Sequence, residues 1–152
     1  MPAKSLRIAE FESLNGQELG VSDWYTVTQE AVSEFARVTR DEQWIHVDAA
    51  RAERESPFRT TIAHGYFTLA LAPHLMSQIW TVTDARLAIN YGLNKLRFPA
   101  PVPVGKSLRL RVSLLSIEPI PGGIQITVNM VIEVEGNRKP VCVAEALFRY
   151  YR

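Results

Sequence analysis

Residues 64–79, His64-Gly65-Tyr66-Phe67-Thr68-Leu69-Ala70-Leu71-Ala72-Pro73-His74-Leu75-Met76-Ser77-Gln78-Ile79, carry apolar side chains on most helical faces. A helix of that kind should be buried, wrapped by other elements rather than laid along a surface. Pro73 lacks a backbone N–H, so it either kinks the helix or ends its first half. One central buried helix is the expectation for this stretch.

From position 81 onward the period changes to two. Leu87, Ile89 and Tyr91 alternate with Arg86, Ala88 and Asn90, and Leu108, Leu110, Val112 and Leu114 alternate with Arg109, Arg111 and Ser113. Ile124, Ile126, Val128, Met130, Ile132 and Val134 make a longer series, and Val141 to Tyr150 supplies another strand. Pro121-Gly122-Gly123 and Glu135-Gly136-Asn137 are turn signals, so the last strands should be antiparallel neighbours. Strands of this length exceed the usual five or six residues, and a sheet built from them can curl around the apolar helix. An exposed edge of such a sheet needs protection, which pairing with a second subunit would supply.

Upstream, Asp23 to Val27 reads as a short strand. Thr28 can cap a helix that starts at Gln29-Glu30, with Val32, Phe35 and Ala36 on one face. The polar run Arg40-Asp41-Glu42-Gln43 closes it, and Asp48 caps a second short helix through Arg51 to Arg54. Helices first, one buried helix, then a large antiparallel sheet make an α+β domain.

Length and composition bound the function only loosely. A folded chain of 152 residues exposes roughly 7,800 Å² and has room for a real core. Seventeen basic against sixteen acidic residues leave no global field to recruit nucleic acid. One cysteine, Cys142, excludes an intramolecular disulfide and clustered cysteine–zinc sites, and its apolar strand makes it a small core residue. No secretory leader or membrane-length apolar run is present, so the expected location is the cytoplasm.

Chemistry must come from few groups, because the chain holds only three histidines. Asp41 and His46 stand five residues apart where a helix gives way to a loop. Imidazole exchanges protons near neutral pH, and a carboxylate beside it can orient it or hold water. The same pair also reads as a helix-end acid and a packed, hydrogen-bonded imidazole. The segment Thr60-Thr61-Ile62-Ala63-His64-Gly65 enters the apolar helix, and Gly65 permits close backbone approach. Free N–H groups there can hold an oxygen that gains negative charge, or the segment is simply a tight helix entry that His64 caps or packs. His74 reads as a helix-end or interface residue, and the spacing of the three histidines matches no metal motif. Lys95, Arg97, Arg109 and Arg111 fit either phosphate contacts or a solvated strand face. Asn90, Tyr91 and Asn94 fit either a ligand tunnel or a subunit interface. Trp44, between Asp41 and His46, reads as a packing anchor for their loop.

Residues 39–49, TRDEQWIHVDA, resemble the hydratase motif of the MaoC-like, (R)-specific enoyl-CoA hydratases, and more closely their NodN-like branch. The likeness continues through Ser56-Pro57-Phe58, Ile62-Ala63-His64-Gly65, the stretch INYGLNKLRFPAPVPVG at 89–105, and Lys139 to Glu145. It implies one hotdog domain over residues 1–152, a long curved antiparallel sheet wrapped around the central helix. It also implies that Asp41 and His46 form a catalytic dyad. They would hold a water and add it reversibly, in syn fashion, across a trans-2-enoyl thioester to give an (R)-3-hydroxyacyl thioester. The N–H of Gly65 would be the oxyanion donor to the thioester carbonyl. The resemblance implies no cofactor, no metal and no covalent intermediate. It implies an acyl-CoA or acyl-carrier thioester substrate and a homodimer, with no nucleic-acid or membrane partner. One position departs: the family usually has glycine before the Asp, where this chain has Arg40, a poor residue for any positive φ. A hotdog acyl-CoA thioesterase and a non-catalytic acyl-thioester binding protein are the competing functions.

Overall fold

Ile8 and Phe11, both buried, anchor the start of the chain in a 3-10 segment, Ile8–Leu14. It lies between strands β1 (Lys4–Leu6) and β2 (Glu18–Val21). These elements precede the first helix, which corrects the expected order of helices before sheet. The computed structural model describes residues 3–152. The strand expected over Asp23 to Val27 is shorter, β3 (Tyr25–Thr26).

Helix α1 (Gln29–Thr39) begins as its sequence predicts, with the Thr28 hydroxyl accepting from the Ala31 N–H at 3.2 Å. It ends at Arg40, whose φ of 63° and ψ of 17° are left-handed. Glycine is the usual residue in that conformation, and any other L-residue pays roughly 1–2 kcal/mol there. The departure at position 40 is therefore a strained helix end immediately before Asp41. A single turn, α2 (Trp44–Val47), follows, which the sequence pattern does not anticipate because four residues are too few to show a period. Helix α3 (Ala49–Glu55) is capped as expected, the Asp48 carboxylate accepting from the Arg51 N–H at 2.9 Å.

The central apolar stretch is helical in two pieces, α4 (Gly65–Ala70) and α5 (Ala72–Ser77), with Pro73 in the first turn of the second. Leu71 between them keeps right-handed helical angles, so the two run on with a break two residues before the proline. Burial is one-sided rather than all round. Phe67, Thr68, Ala72, Leu75, Met76 and Ile79 are buried, while Tyr66, Ala70, Pro73, His74 and Ser77 form an open stripe at helical spacing. No helix among the described residues is long and apolar enough to cross a membrane.

Strand β4 (Trp80–Val82) returns to pair in parallel with β1. Then come β5 (Leu87–Arg97), β6 (Ser107–Ile120), β7 (Gly123–Val134) and β8 (Cys142–Tyr151). They form one antiparallel sheet in the order β2-β6-β7-β8-β5, and β3 also pairs with β6. Both predicted turns fall where expected, and Gly122 (φ 81°) and Gly136 (φ 78°) supply the left-handed residues they need. Leu108, Leu110, Val112 and Leu114 are fully buried, as are Ile126, Val128 and Ile132 opposite them. That concave face packs against α4 and α5, the arrangement expected of a hotdog fold.

Strand β5 departs from its expected register. Ala88 and Asn90 pair with the inward residues Tyr150 and Phe148, so they face the helix, while Leu87 and Ile89 face away. Irregularities between Asn90 and Gly92 and between Leu93 and Lys95 then return Leu93 and Leu96 to the inner face. Alternation alone reports the period of a strand and not which face is buried.

Candidate active site

Asp41, His46 and His64 come from three different segments and converge beside the entry to α4. A carboxylate oxygen of Asp41 and one ring nitrogen from each histidine all lie within 4.8 Å of one another. The two imidazoles are stacked, with ring centroids 3.8 Å apart and planes 25° apart. Both are buried, at 9% and 3% exposure, whereas the Asp41 side chain is 54% exposed.

The proton positions follow from the partners. A main-chain carbonyl only accepts, so the His46 Nδ1–H donates to the Ile62 carbonyl at 2.7 Å. His46 Nε2 is thereby left with its lone pair. Likewise the His64 Nε2–H donates to the main-chain carbonyl of Asp41 at 2.9 Å. The Asp41 carboxylate lies 4.0 Å from that nitrogen, beyond hydrogen-bond reach. Burial holds the His46 pKa below its ordinary value, and His64 pushes the same way. The Ile62 carbonyl and the Asp41 carboxylate act against them without reversing the result. At neutral pH His46 is therefore an uncharged base.

Several groups hold this arrangement that periodicity and motif could not single out. Gln29, in the first turn of α1, donates through Nε2 to the His46 carbonyl at 2.8 Å and accepts from the buried Thr61 hydroxyl. The Ile62 N–H donates to Ile45 at 3.1 Å and the Ala63 N–H to Val102 at 2.9 Å. The segment that supplies the Ile62 carbonyl is thus tied to α2 on one side and to the loop after β5 on the other.

His46 lines a pocket of about 340 Å³ together with Phe58, Gly65, Thr68, Phe98 and Val141. Asp41 is not among its lining residues. Gly65 opens α4, where the N–H precedes any intrahelical acceptor. A β-carbon added there would meet the Phe98 ring at 2.8 Å, so this position needs glycine for space. Larger than this pocket is an open trough of about 710 Å³ along β5 and β8, remote in lining from the histidines.

The remaining polar residues are engaged elsewhere. Arg109 and Arg111 both bind Glu133, at 2.8 and 3.0 Å, and Arg111 also binds Glu18 at 2.9 Å. Lys95 pairs with Glu145 at 3.7 Å, and Asn94 donates to the same carboxylate at 3.0 Å. None of them lines the pocket at His46. Trp44 carries the Arg51 guanidinium 4.4 Å above its ring. His74 is exposed on α5, edge-on to Tyr25. Cys142 is fully buried, and burial raises its thiol to about 11, which leaves no thiolate for nucleophilic work. Asp41, His46 and His64 have the donor types of a metal site. Stacked rings, however, send their in-plane lone pairs side by side rather than to one point, and each ring already gives one nitrogen to a carbonyl.

Residues 10–136 match the family described as the MaoC like domain. The chain is 54% identical over 144 residues to 3-hydroxyacyl-thioester dehydratase Z of Mycobacterium tuberculosis, covering 94% of this chain and 95% of that protein. It is 38% identical over 141 residues to Nodulation protein N of Rhizobium meliloti, covering 91% and 88%. Among solved structures, the R-hydratase PhaJ1 of Pseudomonas aeruginosa superposes with a TM-score of 0.73 at 25% identity, covering 91% of this chain and 82% of that one. A long sheet around a central helix, with a buried imidazole at the helix entry, is thus the hotdog form of a hydratase/dehydratase enzyme. The chain belongs to the MaoC-like dehydratase family.

The burial of His46 generates a direct prediction. Its ring should titrate with a midpoint below 6.5 in an NMR pH series, and a midpoint at or above 6.5 would contradict the desolvated site described above.

Proposed function

We propose that the protein is an (R)-specific enoyl-thioester hydratase, adding water reversibly across a trans-2-enoyl thioester of CoA or an acyl carrier. The observation that carries this reading is the neutral His46 ring, its Nδ1–H fixed by the Ile62 carbonyl and one of its nitrogens within 4.8 Å of the Asp41 carboxylate. His46 takes a proton from water as the water oxygen bonds to C3. Asp41 orients that water and takes part in returning a proton to C2 on the same face of the double bond. The N–H of Gly65 donates to the thioester oxygen, which gains negative charge as the C2–C3 electrons move towards C1. One water supplies both the hydroxyl and the proton, so the sum needs no cofactor. The dehydratase name of a relative 54% identical to this chain supports the same chemistry run in reverse.

We also infer a homodimer through β5. Both faces of this terminal strand are open, with Leu87 at 50%, Ile89 at 39%, Tyr91 at 54% and Leu93 at 41% exposure. Its outer edge offers main-chain groups that need a partner. A two-fold axis brings β5 antiparallel to its own copy and continues the sheet. The exposed surface of 8658 Å² is about a tenth above the roughly 7,800 Å² of a compact monomer, which supports a covered face. Introducing Leu87→Lys with Ile89→Lys should convert the dimer to monomer in sedimentation equilibrium. A dimer that survives both charges unchanged would contradict this interface.

The reaction is tested with crotonyl-CoA. Asp41→Asn and His46→Ala should each lower hydration by about 10²–10⁴, with circular dichroism showing a folded chain. Near-normal hydration in both variants, or acyl-CoA hydrolysis faster than hydration in the wild type, would overturn the proposal.

A further inference from the structure

His64 is the one imidazole near the site to which the proposed chemistry gives no task, and its surroundings are unusual. It is 3% exposed, it occupies the position before Gly65 at the start of α4 without a side-chain capping bond, and Phe35 packs on it at 5.0 Å. Its Nε2–H is committed to the Asp41 carbonyl. Its Nδ1 is buried with no hydrogen-bond partner among the described residues. A proton added to Nδ1 would be a buried donor without an acceptor, on a charged ring.

The carbonyl that His64 holds belongs to Asp41, the residue after the strained, left-handed Arg40. The Asp41 side chain is half exposed, so the hold on its main chain fixes where the carboxylate starts from. The face of the same ring lies against His46 with centroids 3.8 Å apart, so one side chain touches both members of the pair.

We propose that His64 is a positioning residue: its Nε2–H tethers the main chain of Asp41 and so sets where that carboxylate stands beside His46. This rests on the proposed assignment of Asp41 and His46 as the reacting pair. Three substitutions separate the tether from simple packing. His64→Ala removes the donor and the ring. His64→Gln keeps an amide N–H that can reach the Asp41 carbonyl but has no ring. His64→Phe keeps a ring against His46 but has no donor.

Steady-state hydration of crotonyl-CoA is measured for these variants, with His46→Ala alongside and the folded fraction of each determined by circular dichroism. His64→Ala should lower kcat by about tenfold or more while KM changes less than about threefold, since the tether does not touch bound substrate directly. His64→Gln should restore part of that loss, and His64→Phe should not. The proposal is overturned if His64→Ala keeps the wild-type kcat per folded molecule, if its loss lies in KM, or if His64→Phe restores as much as His64→Gln. These outcomes are separate from failure of the dyad. If His46→Ala is inactive while His64→Ala is normal, the dyad stands and the role of His64 falls. If His46→Ala hydrates normally, the dyad itself falls and this inference with it.

Discussion

His46 gives its single ring proton to the Ile62 carbonyl, and the chemistry of the site depends on that bond. It determines which nitrogen is the base, and it keeps the ring from turning. The carbonyl can do this because its own peptide is held on every side. Ile62 donates to α2, Ala63 and Val104 bond across to each other's segments, and Thr61 bonds to Gln29. Gln29 in turn holds the carbonyl of His46 itself, so the imidazole and its acceptor are fastened to the same helix start. Dipoles fixed before the reaction cost no reorganisation when charge develops, which is where such a site gains over water.

The rest of the fold delivers this small frame to a pocket. The inner face of the sheet packs the central helix, which fixes where α4 begins. Its first residue must be glycine because the Phe98 ring occupies the space of a side chain. The second half of the helix is core, with Leu75 fully buried, while the stripe from Tyr66 to Ser77 stays open. The near-balanced charge of the chain acquires a local meaning. Arg109, Arg111 and Lys95 are already paired with Glu133, Glu18 and Glu145, so they are surface ion pairs rather than a basic field waiting for a ligand.

What was legible in the sequence was what depends on period or on a local cap. The strands β6, β7 and β8, both turns, and the starts of α1 and α3 at Thr28 and Asp48 belong to that class. The inward face of β5 did not, because the irregularities around Tyr91 and Asn94 exchange the faces, and the inward-facing Ala88 and Asn90 are themselves exposed. The helix α2 is too short to show periodicity, and β1 and β2 are held by partners far along the chain. Asp41 and His46 were visible as residue types at suggestive spacing. The third member, His64, was visible only as a cap or a packed ring. The groups that fix both tautomers are main-chain carbonyls at Ile62 and Asp41, and a carbonyl leaves no trace in residue identity. Arg40 lies between these cases: its type marked a departure from the usual glycine, and only the backbone revealed the left-handed turn it occupies.

The central claim is that two carbonyls fix the two imidazoles in opposite tautomers. Long-range nitrogen–proton NMR on histidine-labelled protein above pH 7 reads this directly. His46 should carry its proton on Nδ1 with Nε2 bare, and His64 should carry its proton on Nε2 with Nδ1 bare. A proton found on Nε2 of His46, or averaged over both of its nitrogens, would contradict the account.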